Sequence, residues 1–174
     1  MTREPAARIR ACGPDDVPAI LAVINDAAVA YRGVIPEDRW HEPYMDRAEL
    51  EEALDAGVRF RCWQEDEGVV GVMGIQPVED VTLIRHAYVR TNRQGEGIGS
   101  TLIEHLLRGT DRPVLVGTWR AATRAVEFYR SHGFELVPEP EGSRLLRRYW
   151  SIPERQVETS VVLADRRWRS REGG

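Results

Sequence analysis

RQGEGIGSTLIEHLL, residues 93–107, sets three glycines, Gly95, Gly97 and Gly99, at alternate positions and then runs into a helix-forming pattern. Glycine weakens regular structure and lets another group approach the main chain closely. The stretch therefore asks what needs a bare backbone at the mouth of a helix. Ile98, Leu102, Ile103 and Leu106 fall on one side of a helix predicted over 98–108. The first turn of such a helix carries unpaired N–H donors and a partial positive charge, so it receives an anion without any basic side chain. A phosphate loop of the GxxxxGKS/T kind is excluded, because all 24 basic residues are arginine. A dinucleotide fingerprint needs GxGxxG within a parallel βαβ unit, whereas the spacing here is GxGxG after a strand that belongs to a meander. A pyrophosphate cradle built from the amides of 94–100 fits, and a glycine turn with no ligand is the alternative.

Working outward, VTLIRHAYV (81–89) is the strand that feeds the glycines. VRFRCWQE (58–65) and VVGVMGIQPV (69–78) precede it, with Asp66-Glu67-Gly68 and Glu79-Asp80 as the turns of an antiparallel meander. Upstream, ARIRAC (7–12) reads as a strand, followed by a helix over 15–30 with Val17, Ile20, Leu21 and Ile24 on one face. Asp46 caps a second helix over 47–56. Downstream come a buried strand at 113–119, a helix at 122–132 stopped by Gly133, and a strand at 134–138. EPEGS is a loop, SRLLRRYW a short helix with a strand as the alternative, and TSVVLAD (159–165) the last strand. The fold class is α/β, with a mixed, mostly antiparallel central sheet flanked by helices. A single domain over 1–165 is expected, with RRWRSREGG (166–174) as a charged, mobile tail.

Composition narrows the function classes. Apolar residues make up 42% and charged residues 30% of the 174-residue chain, and a net charge of −4 gives no general reason to expect nucleic-acid binding. No apolar run reaches the roughly 18 residues that span a bilayer. MTREPAARIR lacks an apolar core, so no secretory signal is expected. Cys12 and Cys62 fit neither a CxxC pair nor a disulfide framework and read as buried reduced thiols of a cytoplasmic protein. His41, His105 and His132 lack metal-ligand spacing, so no metal is expected.

VRTNRQGEGIGSTLIEHLL resembles the acyl-CoA-binding motif of the GNAT superfamily of N-acetyltransferases, whose core is Q/R-x-x-G-x-G/A; here it reads Gln94-Gly95-Glu96-Gly97-Ile98-Gly99. AVEFYRSHGFELV (125–137) resembles the second landmark of that family, an A-x-x-F-Y…GF segment, and the order of elements over 7–165 agrees. The resemblance implies acetyl-CoA as co-substrate. The pyrophosphate would be held by Gln94, Gly95, Glu96, Gly97, Ile98, Gly99 and Ser100, and the pantetheine by main-chain groups of Ala87, Tyr88 and Val89. It also implies Tyr129 as the acid that meets the departing thiolate. Where the family often has a cofactor-contacting asparagine, this chain has Ala122.

The incoming amine must lose a proton before it attacks. The strand at 81–89 offers Arg85 and His86 instead of the family's usual carboxylate. Alternation sets His86 on the face of Tyr88 and opposite Ala87, and an imidazole of ordinary pKa suits a base; the alternatives are a hydrogen-bonded structural histidine, or Glu42, His41 or Asp38 as the base. The family borders its acceptor cleft with the segment after the first helix, here YRGVIPEDRWHEPYM (31–45). Tyr31, Trp40, Glu42 and Tyr44 are the candidate acceptor contacts, with Glu37 and Asp38 as further acidic groups; the alternative is that these aromatics anchor a long loop. The expected activity is acetyl transfer to a primary amine of a small molecule or peptide. The rival is a non-catalytic acyl-CoA-binding module. Homodimers are common in the resembling family, and neither a nucleic-acid nor a membrane partner is expected.

Overall fold

The apolar runs pair into one sheet. In the computed structural model, which describes residues 8–171, the strands are β1 (Arg8–Ala11), β2 (Arg59–Glu65), β3 (Gly68–Val78), β4 (Val81–Val89), β5 (Val114–Trp119), β6 (Glu135–Leu136) and β7 (Ser160–Ala164). Their order across the sheet is β1-β2-β3-β4-β5-β7-β6. β2 pairs antiparallel with β1 and β3, and β7 antiparallel with β5 and β6. β4 pairs parallel with β5 through Thr82↔Val114, Leu83↔Leu115 and Ile84↔Val116. The helices are α1 (Val17–Ala28), α2 (Arg47–Asp55), α3 (Ile98–Arg108), α4 (Thr123–Ser131), α5 (Glu141–Tyr149), α6 (Glu154–Glu158) and α7 (Arg166–Arg171). The α/β class with a mostly antiparallel sheet is the one the sequence implies. The chain divides into two compact units, and the cut falls inside β4: one holds the segments through Ala30, His41–Gln76 and Arg85–Gly109, the other Tyr31–Trp40, Pro77–Ile84 and the segment from Thr110. No helix among the described residues is long and apolar enough to cross a membrane.

The first unit packs α1 and α2 against one face of β2 and β3. Val17, Ile20, Ile24 and Leu50 meet Val58, Phe60, Cys62 and Val72 in one buried cluster. That is the face predicted from the alternation of Val58, Phe60 and Cys62. Asp46 caps α2 in a reciprocal box: its carboxylate accepts from the Glu49 amide at 2.8 Å, and Glu49 accepts from the Asp46 amide at 2.8 Å. α3 covers the opposite face, where a Cβ at Gly71 would stand 3.0 Å from Ile98 and 3.3 Å from Leu102. Cys12 and Cys62, distant in sequence, come together because the Cys12 amide donates to the Phe60 carbonyl beside the Arg10↔Cys62 pair. Hydrogen bonding between the neighbouring thiols pushes the Cys12 pKa up and holds that of Cys62 down at about 7. Both thiols are free; Cys62 is buried and Cys12 half-buried.

In the second unit Val81, Leu83 and Leu115 form a core with Leu145, Leu146, Tyr149 and Trp150 of α5 and its C-terminal end, and Val162 of β7. SRLLRRYW is therefore helical, and the EPEGS loop shortens because α5 starts at Glu141. α6 has no counterpart in the sequence reading; it follows Pro153, and Arg147 pairs with its first residue, Glu154. Residues 166–171 of the expected tail form α7. Buried Asp165 caps α7 by accepting from the Trp168 amide at 3.2 Å. Trp168 packs on the core, Arg169 pairs with Glu135 at 2.7 Å, and Arg171 pairs with Asp80 at 2.7 Å. Residues 1–7 and 172–174, the ends of the expected domain and tail, lie outside the described residues.

Candidate functional site

The glycine stretch forms the turn between β4 and α3. A short 3-10 turn, Thr91–Arg93, leaves β4, and α3 begins at Ile98 after Gly97 as its N-cap. Gly95 and Gly97 both adopt left-handed backbone, with φ of 81° and 83°, and a Cβ at either would point into open space. Glycine is required there for conformation rather than for packing. The Gln94 amide turns back to the Thr91 carbonyl at 3.5 Å, and the Thr101 amide donates to Gly97 at 3.0 Å. Between them, the amides of Gly95, Glu96, Gly97, Ile98, Gly99 and Ser100 have no acceptor among the described residues. Such a row of unspent donors at a helix N-terminus fits a diphosphate.

No basic side chain is free to share that work in the loop itself. Arg93 grips Glu65 with two bonds of 2.6 and 2.8 Å and Glu96 with a third of 2.7 Å. The double contact holds the Glu65 carboxyl down at about 2. The Gln94 side chain donates to the Val89 carbonyl at 3.1 Å and so ties the loop to the end of β4, while Asp26 of α1 receives the Thr91 amide at 2.8 Å. The cradle is thus fixed from both sides by side chains and left open along its main chain. Ala87, Tyr88 and Val89 are half-buried and lie past the last β4–β5 register pair.

β4 is irregular where it carries its polar residues. His86 has φ of 55°, rare for a side chain with a Cβ. Normal alternation would separate Arg85 and His86, yet both reach the face of α1 and α2. His86 stacks on Phe60, with ring centroids 6.2 Å apart. Arg85 donates to Gln76 at 2.9 Å, and Gln76 donates to the Ala56 carbonyl at the end of α2, also at 2.9 Å. Gly74 makes room for this distortion: a Cβ there would stand 2.7 Å from the Arg85 carbonyl oxygen, 2.8 Å from Val58 and 3.2 Å from Phe60. His86 Nε2 is sealed from solvent without a partner. Burial, reinforced by the Arg85 charge, pushes its pKa down to about 3, so the ring is neutral. Tyr88 shares the face and meets Tyr44 edge-on at 6.5 Å. Sequence reasoning passed over Gly74 and Gln76; the one signal was a charged pair inside an otherwise apolar strand.

In the second unit, the FYRSHGF segment is the closing turn of α4. The Phe134 amide donates to the Tyr129 carbonyl at 3.1 Å, and the Gly133 amide to Arg130 at 3.2 Å. With Gly133 at φ of 88° this is a Schellman cap, and the Phe134 ring packs edge-on against Tyr129 at 5.8 Å as that motif requires. The cap fixes Tyr129, 6% exposed, at the last turn of the helix. Burial, with Tyr31 nearby, raises its pKa and keeps the phenol protonated. Ala122 is buried at the N-cap of α4 and supplies no side-chain bond there.

The four candidate acceptor contacts separate. Tyr31 and Trp40 belong to the second unit, Glu42 and Tyr44 to the first. Glu42 is exposed; Tyr44 packs partly on the α1–α2 core. Asp38 is tied to Arg155 of α6 at 3.1 Å, which holds its carboxyl below the usual range. His41 turns to the Pro43 carbonyl at 2.8 Å.

Residues 58–136 match a family described as acetyltransferase (GNAT) domain. No curated protein matches the chain in sequence. Among solved structures, the PaiA N-acetyltransferase of Thermoplasma acidophilum, in complex with coenzyme A, superposes with a TM-score of 0.67 at 14% identity, over 92% of this chain and 98% of that one. The ribosomal-protein-alanine N-acetyltransferase of Brucella melitensis gives a TM-score of 0.63 at 22% identity, over 91% of this chain and 98% of that one. A GNAT-family acetyltransferase of Staphylococcus aureus gives 0.65 at 16% identity, over 92% and 98%. At these identities the likeness is one of fold.

Proposed function

Residues 58–136 match the acetyltransferase (GNAT) domain, and from that premise we propose that the chain transfers an acetyl group from acetyl-CoA to a primary amine by direct attack. The observation that carries the reading is the row of unspent amides from Gly95 to Ser100 at the start of α3. Those donors would hold the diphosphate, and the main chain of Ala87, Tyr88 and Val89 would align the pantetheine and polarise the acyl carbonyl. Acetyl-CoA supplies a thioester carbonyl open to an amine. Tyr129, kept protonated by burial, would donate to the thiolate as it leaves. The acceptor is a small-molecule or peptide amine met by the 31–45 segment, with Tyr31, Trp40, Glu42 and Tyr44 as its contacts. The setting of His86 weighs against it as the base: an imidazole titrating at about 3 holds an ammonium's proton poorly, and the proton leaves to solvent. The free thiols of Cys12 and Cys62 suit a cytoplasmic setting.

Bare Ala122 at the start of α4 favours the second reading, a module that binds acyl-CoA without chemistry. Calorimetry with acetyl-CoA and a thiol-release assay over an amine panel separate the two. Acetyl transfer requires binding and turnover, with kcat falling about a hundredfold in Tyr129→Phe while acetyl-CoA affinity holds. Binding with no turnover on any amine establishes the module instead.

A further inference from the structure

A guanidinium withdrawn from solvent needs a counter-charge, because the cost of desolvating an ion is met only by close opposite charge and full hydrogen bonding. Arg85 has neither. Its one partner among the described residues is the neutral amide of Gln76, through Nη1 at 2.9 Å. Burial alone pulls its pKa down, with no carboxylate acting on it. Of its neighbours along β4 and the glycine loop, Arg93 pairs with Glu65 and Glu96, and Arg90 donates to the Val69 carbonyl at 3.2 Å. Arg85 is a half-buried cation with no anion paired to it among the described residues.

It is also held in place. Gln76, 9% exposed, is fixed by its bond to the Ala56 carbonyl at the C-terminal end of α2, so the amide oxygen it presents to Nη1 cannot wander. The partial negative charge of that helix end steadies the cation through the relay without neutralising it. The Nε and Nη2 donors have no acceptor in the chain among the described residues, and neither is sealed from solvent. This leaves one edge of the guanidinium, two parallel N–H groups, presented as a fork. Two carboxylate oxygens fit that edge in the plane. Beside it on the same face lies His86, whose Nε2 is buried without a partner, and Tyr88, which touches Tyr44 of the segment read as the acceptor loop. The unmatched cation therefore stands on the acceptor side of β4, on the face opposite α3 and its cradle.

We propose that the Nε–Nη2 edge of Arg85 binds a carboxylate on the acceptor, so that the substrate is an amine that also bears a carboxylate, as a free amino acid does. The inference rests on the acetyl-transfer reading and names the substrate class of that same site. Gln76 is a positioning residue: it aims the fork. The acceptor's carboxylate supplies the missing counter-charge.

The test uses matched pairs that differ only in that group: L-methionine, L-phenylalanine and L-glutamate, each against its α-amide. The amides have the less basic amine, so amine reactivity alone favours them. Wild-type protein is expected to acetylate at least one acid with kcat/KM about tenfold or more above its amide. Arg85→Gln brings that ratio close to unity, and Arg85→Lys, which keeps the charge and loses the fork, falls between. The acetyl-CoA dissociation constant, measured by calorimetry, stays at the wild-type value in both variants and shows that they fold. Equal use of acids and amides by the wild type, or an acid preference that survives Arg85→Gln, overturns the proposal. Should acetyl-CoA bind while no amine is acetylated, the transfer reading fails by itself. The same pairs titrated into wild type and Arg85→Gln then decide the carboxylate site: tighter binding of an acid that vanishes in the variant supports it, and equal binding overturns it.

Discussion

The two segments read as binding surfaces, 94–100 and 31–45, are built on opposite plans. The glycine loop works through its main chain. Its side chains point back into the protein, Gln94 to Val89 and Glu96 to Arg93, and leave the amides open. The 31–45 segment works through side chains, and these are parcelled out to different neighbours: Asp38 to Arg155, His41 to Pro43, Tyr44 to Tyr88. A site made of backbone tolerates most changes in surrounding side chains and fails when the backbone cannot bend. A site made of side chains changes residue by residue. The first plan suits a co-substrate that never varies, the second an acceptor that does.

That contrast can be broken experimentally, and the largest effect belongs to the backbone site. Gly97→Val places a β-branched side chain at φ of 83° and is expected to weaken acetyl-CoA binding about a hundredfold by calorimetry. Near-normal affinity would show that the cradle does not depend on left-handed backbone. Gly74→Ala comes next. Its Cβ would press on the Arg85 carbonyl at 2.7 Å, and a loss of about 1–3 kcal/mol in denaturant unfolding is expected, with the distortion of β4 relaxed.

His86 gives a smaller, pH-dependent effect. Its folded pKa of about 3 lies below the unfolded value near 6.5, so the unfolded chain binds the extra proton between them. The stability this burial depends on is complete above about pH 6.5 and is lost as pH falls toward 3, at up to about 1.4 kcal/mol per unit. His86→Asn, which tolerates the left-handed backbone, should flatten that slope in unfolding measured from pH 7 to pH 5; an unchanged slope would mean that His86 does not control it. Trp40→Ala should do least, raising acceptor KM by about three- to tenfold with acetyl-CoA affinity unmoved. A loss of acetyl-CoA affinity in that variant would erase the distinction between the two segments.

Much of the fold was legible because its signals are local. β4 begins and ends where the predicted strand does, and α3 starts directly after Gly97, the second of the three alternate glycines. Gly133 ends α4 through a cap whose partners lie within six residues, so the FYRSHGF pattern could be read as an ending without knowing the rest. α7 was legible in principle as well. Asp165 is a capping residue in front of a helix of arginines, but charge density argued for solvent, and only Trp168, Glu135 and Asp80 decide otherwise. α6 is short and has no apolar period; Val157 anchors it in the core of the second unit, and Arg147 and Asp38 reach it from elsewhere.

The sequence by itself determined most of the elements, the sheet class and the glycine turn before α3, since propensity, capping and left-handed glycines act over a few residues. The tertiary structure alone decided what the polar residues of β4 do. Whether Arg85 finds an acid, whether His86 keeps its proton, and whether Cys12 meets Cys62 depend on groups brought from other strands and helices, and on burial that sets the strength of every charge. Periodicity records which side a residue faces; it does not record what waits there, and the field at a site is a sum over neighbours that only folding assembles.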